Sequence, residues 1–323
     1  MFGFSIAIIA GIALLVWSAD RFVEGAAITA KYLGMPAFLI GMVVVGFGTS
    51  APEMIVSAMA AWDGNPALAL GNAVGSNIVN ITLILGVTAV IAPIVVNEQI
   101  LKKELPVLLV ITLMSGFFFW DGRLTRFEGI VLFLSLIAIM IFAVVVAMRK
   151  KYKVLENQEN FINKEMSQAL ALVWLSVGLL VLMASSRLLV WGAVGLAQTF
   201  GVSDLIIGLT IVALGTSLPE LAASVVAARK GEHDIALGNI VGSNIFNILG
   251  VVGIAGIIAP MENITPELMS RDWLVMVGVT LLLVALSYGW LGKKGRIALT
   301  GGFLLLGSYI LYNGLLLKEI LWS

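Results

Sequence analysis

The sequence predicts an all-α integral membrane protein of ten transmembrane helices, built as two inverted five-helix repeats. Three observations predict this. Hydrophobic residues make up 60% of the chain and charged residues 12%, against about a quarter charged in soluble domains. The apolar residues gather in stretches long enough to cross a bilayer. One polar motif also occurs twice, at a constant step of 167 residues (Glu53 to Glu220, Asn80 to Asn247). Net charge is zero, so nothing points to nucleic acid. The chain has no cysteine, which excludes disulfides and thiolate metal sites.

A helix needs roughly 20 apolar residues to span the hydrocarbon core. In order, the candidate stretches are 3–30, 36–61, 67–92, 105–120, 127–148, 168–197, 204–228, 234–259, 272–291 and 297–318. The first has no basic segment ahead of its apolar run, so it reads as a membrane helix and not as a cleaved signal peptide. The fourth is the shortest. Residues 149–166 form the longest polar segment, a linker on the cytoplasmic side between a first unit, 1–148, and a second, 167–323. Five helices per unit is an odd number, so the second unit enters the membrane from the opposite side.

Basic residues set the orientation. Loops after odd-numbered stretches hold Lys31, Lys102, Lys103, Arg149, Lys150, Lys151, Lys153, Lys164, Arg229, Lys230, Lys293, Lys294 and Arg296. Loops after even-numbered stretches, with the tail, hold Arg123, Arg126, Arg271 and Lys318. Both termini are therefore expected outside a multi-pass plasma (inner) membrane protein. Arg21 and Arg187 fall inside helices, where snorkelling or a local pair, such as Arg21 with Asp20 or Glu24, is expected. The one histidine, His233, lies in a polar stretch and reads as a loop residue.

Gly48 to Glu53 recurs as Gly215 to Glu220. Pro52 and Pro219 lack an N–H and clash with the carbonyl four residues back. The second and seventh helices should kink or unwind there, and the freed carbonyls need partners. Thr49 and Ser50 stand four and three residues before Glu53, so they can share its face. Thr216 and Ser217 stand likewise before Glu220. Carbonyls, hydroxyls and a carboxylate together suit a hard cation.

The second motif places Asn72, Ser76 and Asn80 four apart on the third helix, with Asn239, Ser243 and Asn247 on the eighth. For Asn72 and Asn239, packing or capping is as fitting as ion contact. The glutamates are different. No lysine or arginine lies in these segments to pair with them, and two close carboxylates cannot both stay ionised without protons or a cation.

On these residues the chain resembles the sodium/calcium exchanger family of the cation/calcium antiporter superfamily, prokaryotic branch, over essentially its whole length. The polar centre is too short for a calcium-sensing regulatory domain. The resemblance implies that Glu53 and Glu220 are central ligands shared by calcium and sodium. Thr49 and Thr216 would offer backbone carbonyls to calcium. Ser50, Ser217, Ser76 and Ser243 would serve flanking sodium sites, completed by the carbonyls of Gly46 and Ala213, and Asn80 and Asn247 would close the centre. Many relatives carry Asp where this chain has Asn247; here the site's formal charge is −2, which argues against potassium co-transport. The expected partners are transported calcium and sodium and the lipid bilayer, with no cofactor and no enzymatic activity. Other readings are a calcium/proton antiporter, a cation channel, and an intramembrane hydrolase on Ser50 or Ser217. The last lacks an adjacent base.

Overall fold

The computed structural model describes residues 2–155, 166–201 and 213–322. Its long elements are helices: α1 (Phe2–Leu33), α2 (Ala37–Trp62), α3 (Pro66–Ile91), α4 (Leu105–Phe119), α5 (Arg126–Leu155), α6 (Gln168–Thr199), α7 (Leu218–Arg229), α8 (His233–Ile258), α9 (Leu268–Ser287) and α10 (Leu299–Trp322). Eight of them are long and apolar enough to cross a membrane; α4 and α7 are not among these. The helix of α4 is continued backwards by the π-type turn Ile100–Glu104, but that turn carries Lys102, Lys103 and Glu104, so the apolar run is 15 residues, about three quarters of a span, plus a charged shoulder. Part of the seventh stretch, 204–228, falls outside the described residues. What is described there is the short turn Ala213–Thr216 and then α7.

α1 and α6 lie side by side over their full length and run antiparallel, with Gly11 against Leu189 and Gly25 against Leu175. They flank a bundle of α2, α3, α7 and α8. Within that bundle α8 is the innermost helix: 89% of its most apolar window is buried, against 67% for α3. Short backbone pairings close the ends. The strands β1 (Ile94–Val95) and β2 (Arg296–Ile297) join the link after α3 to the link after α9. Leu124 pairs with Met261, joining the links after α4 and α8. Odd-numbered links thus meet odd, and even meet even.

The two proline motifs fold differently. In the second copy the helix is interrupted as expected: Ser217 separates Ala213–Thr216 from α7, and Pro219 sits in the first turn of α7. In the first copy α2 runs on through Pro52. There the backbone widens one turn earlier, in the π-type segment Gly41–Gly46. A proline can be carried inside a membrane helix when neighbouring groups satisfy the backbone it frees. Matching π-type segments, Asn80–Ile84 and Phe246–Val251, interrupt α3 and α8 beside Asn80 and Asn247.

Candidate functional site

Glu53 and Glu220 are both buried, at 4% and 3% exposure. Ser50, one helical turn before Glu53, donates its hydroxyl to Glu220 Oε1 at 3.5 Å. The two carboxylates therefore share one centre at the meeting of α2 and α7. In each, the second oxygen, Oε2, has no hydrogen-bond partner among the described residues. Buried carboxylate oxygens without donors are costly, and they mark where a cation would sit. No cluster of three His, Cys, Asp or Glu exists among the described residues, so any further donors here must be hydroxyls, amides and carbonyls.

Those donors surround the pair. Thr49 is fully buried, its hydroxyl 3.1 Å from Asn239 Oδ1 and 3.1 Å from the Val45 carbonyl. The Gly46 carbonyl faces Ser243, whose hydroxyl approaches it at 3.5 Å. Thr216 lines a cavity together with Glu53. Ser76 is half-buried and Ser217 buried, and neither bonds another side chain among the described residues. Ala213 opens the turn ahead of Ser217; its side chain is outside the description. The carbonyl freed by Pro219, that of Gly215, accepts a hydrogen bond from Ser186 of α6 at 2.8 Å.

The first residues of the two stripes act as clamps. Asn72 donates to Ser57 Oγ at 3.2 Å. Its counterpart Asn239 donates to Ser224 Oγ at 2.9 Å and to the Glu220 carbonyl at 3.2 Å. Each thus ties a stripe helix to a glutamate helix, which is the packing role.

Two side chains escaped the sequence reading. Asn80 Nδ2 donates to Asn244 Oδ1, and Asn247 Nδ2 donates to Asn77 Oδ1, both at 3.1 Å. These are equivalent bonds exchanged between the two motif copies. Asn77 Nδ2 in turn donates to the Asn244 carbonyl at 3.2 Å. A backbone carbonyl can only accept, so it fixes which way the Asn77 amide points. Asn77 then presents oxygen to Asn247, and Asn247 must answer with its NH₂. Its own oxygen, Oδ1, is left buried without a partner among the described residues, free to accept a cation. An ionised carboxylate at 247 would offer Asn77 no donor. The signal for Asn77 and Asn244 was their place inside the duplicated motif. His233 also differs from expectation: it is the first residue of α8, not a loop residue, with a buried Nδ1 that has no partner among the described residues. Arg21 pairs with Glu24 at 3.0 Å as expected.

Among the described residues, access to the centre is one-sided. A cavity of ≈ 300 Å³ reaches Glu53 between α2, α3 and α6, lined by Pro52, Asn72, Arg187, Gly215 and Thr216. The equivalent approach past Asn239 is sealed, since Asn239 and Ser243 have no exposed surface.

The sodium/calcium exchanger protein family matches residues 4–145 and 170–318, both motif copies included. This chain belongs to that family. A protein of Alkalimonas amylolytica named CaxA is 47% identical, over 98% of this chain and 99% of its own. The inner membrane protein YrbG of Escherichia coli (strain K12) is 40% identical, over 92% of this chain and 93% of its own. The solved structure of the sodium-calcium exchanger NCX_Mj superposes with a TM-score of 0.82 at 32% identity, covering 96% of this chain and 97% of that one. The chain is thus a multi-pass membrane antiporter of the sodium/calcium exchanger family, and not an enzyme.

Proposed function

We propose that this exchanger extrudes calcium from a prokaryotic cell by alternating access, with three sodium ions entering per calcium. The observation that carries the reading is the pair of buried glutamates whose free oxygens face one centre. Calcium is held by Glu53 and Glu220 with the carbonyls of Thr49 and Thr216. Sodium takes the same glutamates, together with Ser50, Ser217, Ser76, Ser243 and the carbonyls of Gly46 and Ala213. Asn80 and Asn247 close the centre. The two ions cannot occupy the shared carboxylates together, and this exclusion makes the cycle an exchange.

The ten-helix plan of two inverted repeats, 1–148 and 167–323, joined by the linker 149–166, belongs to this proposal, with both termini outside. The antiparallel run of α1 against α6 supports it. On that orientation the cavity beside Glu53 opens to the outside, and α1 with α6 is the pair that moves. Two sodium ions would neutralise a −2 site as one calcium does. The duplicated hydroxyls and carbonyls provide for a third sodium without added charge. One net charge then moves per cycle, worth about 2.3 kcal/mol per 100 mV.

The deciding experiment is calcium uptake into sodium-loaded proteoliposomes under voltage clamp. Uptake should need the outward sodium gradient, and its reversal potential should follow three to one. Uptake driven by protons and indifferent to sodium would identify a calcium/proton antiporter instead. Orientation is checked by single cysteines at Asp121 and Lys293, both exposed links. An impermeant thiol reagent should label only the first in intact cells.

A further inference from the structure

Lys230 follows α7 in the turn that leads to α8. Its ammonium lies 2.8 Å from Asp20 Oδ1, 3.1 Å from the Asp20 carbonyl and 3.9 Å from Glu24 Oε2, all on α1. Arg21 of α1 pairs with Glu24 and lies over the Trp174 ring of α6, 5.4 Å from its centroid. The cluster ties the long α1–α6 pair to the motif bundle at the end where the approach to the centre is sealed.

The step of 167 that relates the motifs also relates these residues. Asp20 corresponds to Arg187 and Lys230 to Asp63. The same two positions thus carry an acid and a base in both halves, with the signs exchanged. Arg187 is on α6 and lines the open cavity. Asp63 caps the end of α2, in the turn that leads to α3. Both are exposed, and neither forms an ion pair among the described residues. One pair is therefore formed at the closed end, and its charge-exchanged equivalent is unformed at the open end.

We propose that the two pairs are alternating latches: Asp20–Lys230 holds one end shut in the state seen here, and Arg187–Asp63 forms when the cavity closes as Asp20–Lys230 parts. This inference rests on the alternating-access reading. The effect is modest by design, because an exposed ion pair shifts an equilibrium by up to about fivefold. A stronger latch would trap the carrier in one state.

The test reads the state directly, without transport. The chain has no cysteine, so Met183→Cys, on the cavity lining, reports opening by its rate of modification with an impermeant thiol reagent in proteoliposomes free of ion gradients. Lys230→Gln should slow labelling up to about fivefold, because the open-cavity state loses its latch. Arg187→Gln or Asp63→Asn should speed it by a similar factor. The single reversal Arg187→Asp should also speed it, and the double exchange Arg187→Asp with Asp63→Arg should return it to the parental rate. Failure of the double exchange to restore the rate, or labelling that ignores all the neutral variants, overturns the latches. If exchange of sodium for calcium fails while labelling follows this pattern, the latches stand and only the choice of ions is wrong.

Discussion

Gly71 and Gly238 hold the same position in the two motif copies. A methyl group added at Gly71 would meet nothing among the described residues; one added at Gly238 would run into the Phe38 carbonyl of α2. Gly75 and Gly242 differ in the same way, the second meeting the Met42 carbonyl at 2.5 Å. Asn72 is half-buried beside the cavity, whereas Asn239 has no exposed surface. Equivalent residues thus live in unlike surroundings. Among the described residues, the difference lies in what covers each copy and not in the copies themselves. A nearly symmetric sequence held in an asymmetric packing has a second arrangement of comparable quality available, with the roles of the two ends exchanged. Alternating access needs such a pair of states.

The largest expected effect tests where the comparison must fail, at the centre that both copies share. Glu53→Gln and Glu220→Gln should each abolish sodium-dependent calcium flux, by more than about a hundredfold. A unit charge in contact with a divalent cation contributes several kcal/mol even at an effective dielectric near 20. The two losses should be alike, because neither access route matters once the ion is bound. Isotope flux in proteoliposomes measures this; full flux in either variant would remove the glutamates from the mechanism.

Next in size is the glycine comparison itself. Gly238→Ala and Gly242→Ala force α8 away from α2, and overpacking of this kind costs about 1–3 kcal/mol per site. Gly71→Ala and Gly75→Ala meet no atom of the described residues and should be neutral or stabilising by about 0.5–1 kcal/mol. Thermal unfolding of the purified protein in detergent should separate the two sets in sign. Equal effects on both sets would mean that the asymmetry described here is not the resting state.

Much of the site could be read from the chain. Glu53, Glu220, Ser50 and Thr49 follow from a carboxylate motif repeated in apolar surroundings, because burying charge there is too costly to be incidental. Asn77 and Asn244 could not be read from a spacing of four. That rule puts Asn72, Ser76 and Asn80 on one face and leaves Asn77 off it. The π-type segments beginning at Asn80 and Phe246 change the helical phase, and with it which side chains meet. The fourth stretch, 105–120, matches α4 within a residue and is short in both, because Lys102, Lys103 and Glu104 end the apolar run ahead of it. The asymmetry was invisible in principle, since duplicated residues carry no mark of which copy is covered.

Asn77→Ala probes the amide relay. It deprives Asn247 Nδ2 of its acceptor and the Asn244 carbonyl of its donor. Leaving buried polar groups unpaired costs about 1–3 kcal/mol, so apparent calcium affinity should fall roughly tenfold as the Asn247 amide loses its orientation. Calcium titration of the purified exchanger checks it. Unchanged affinity would reduce Asn77 to a packing residue.

The smallest effect concerns a hydroxyl that the first copy does without. Ser186 donates to the Gly215 carbonyl, the group that Pro219 leaves without a helical partner. The equivalent position in α1 is Ala19, fully buried and without a donor, and there α2 passes through Pro52 unbroken. The hydroxyl is therefore matched to the broken helix and not to the proline as such. Ser186→Ala should cost about 1 kcal/mol, the usual net worth of one such bond, read as a fall of roughly 2–4 °C in thermal midpoint. Ser186→Cys, which keeps a weak donor, should lie between the two. If Ser186→Ala leaves the midpoint unchanged, the break before α7 is held by backbone geometry alone, and the difference between the two proline motifs has another origin.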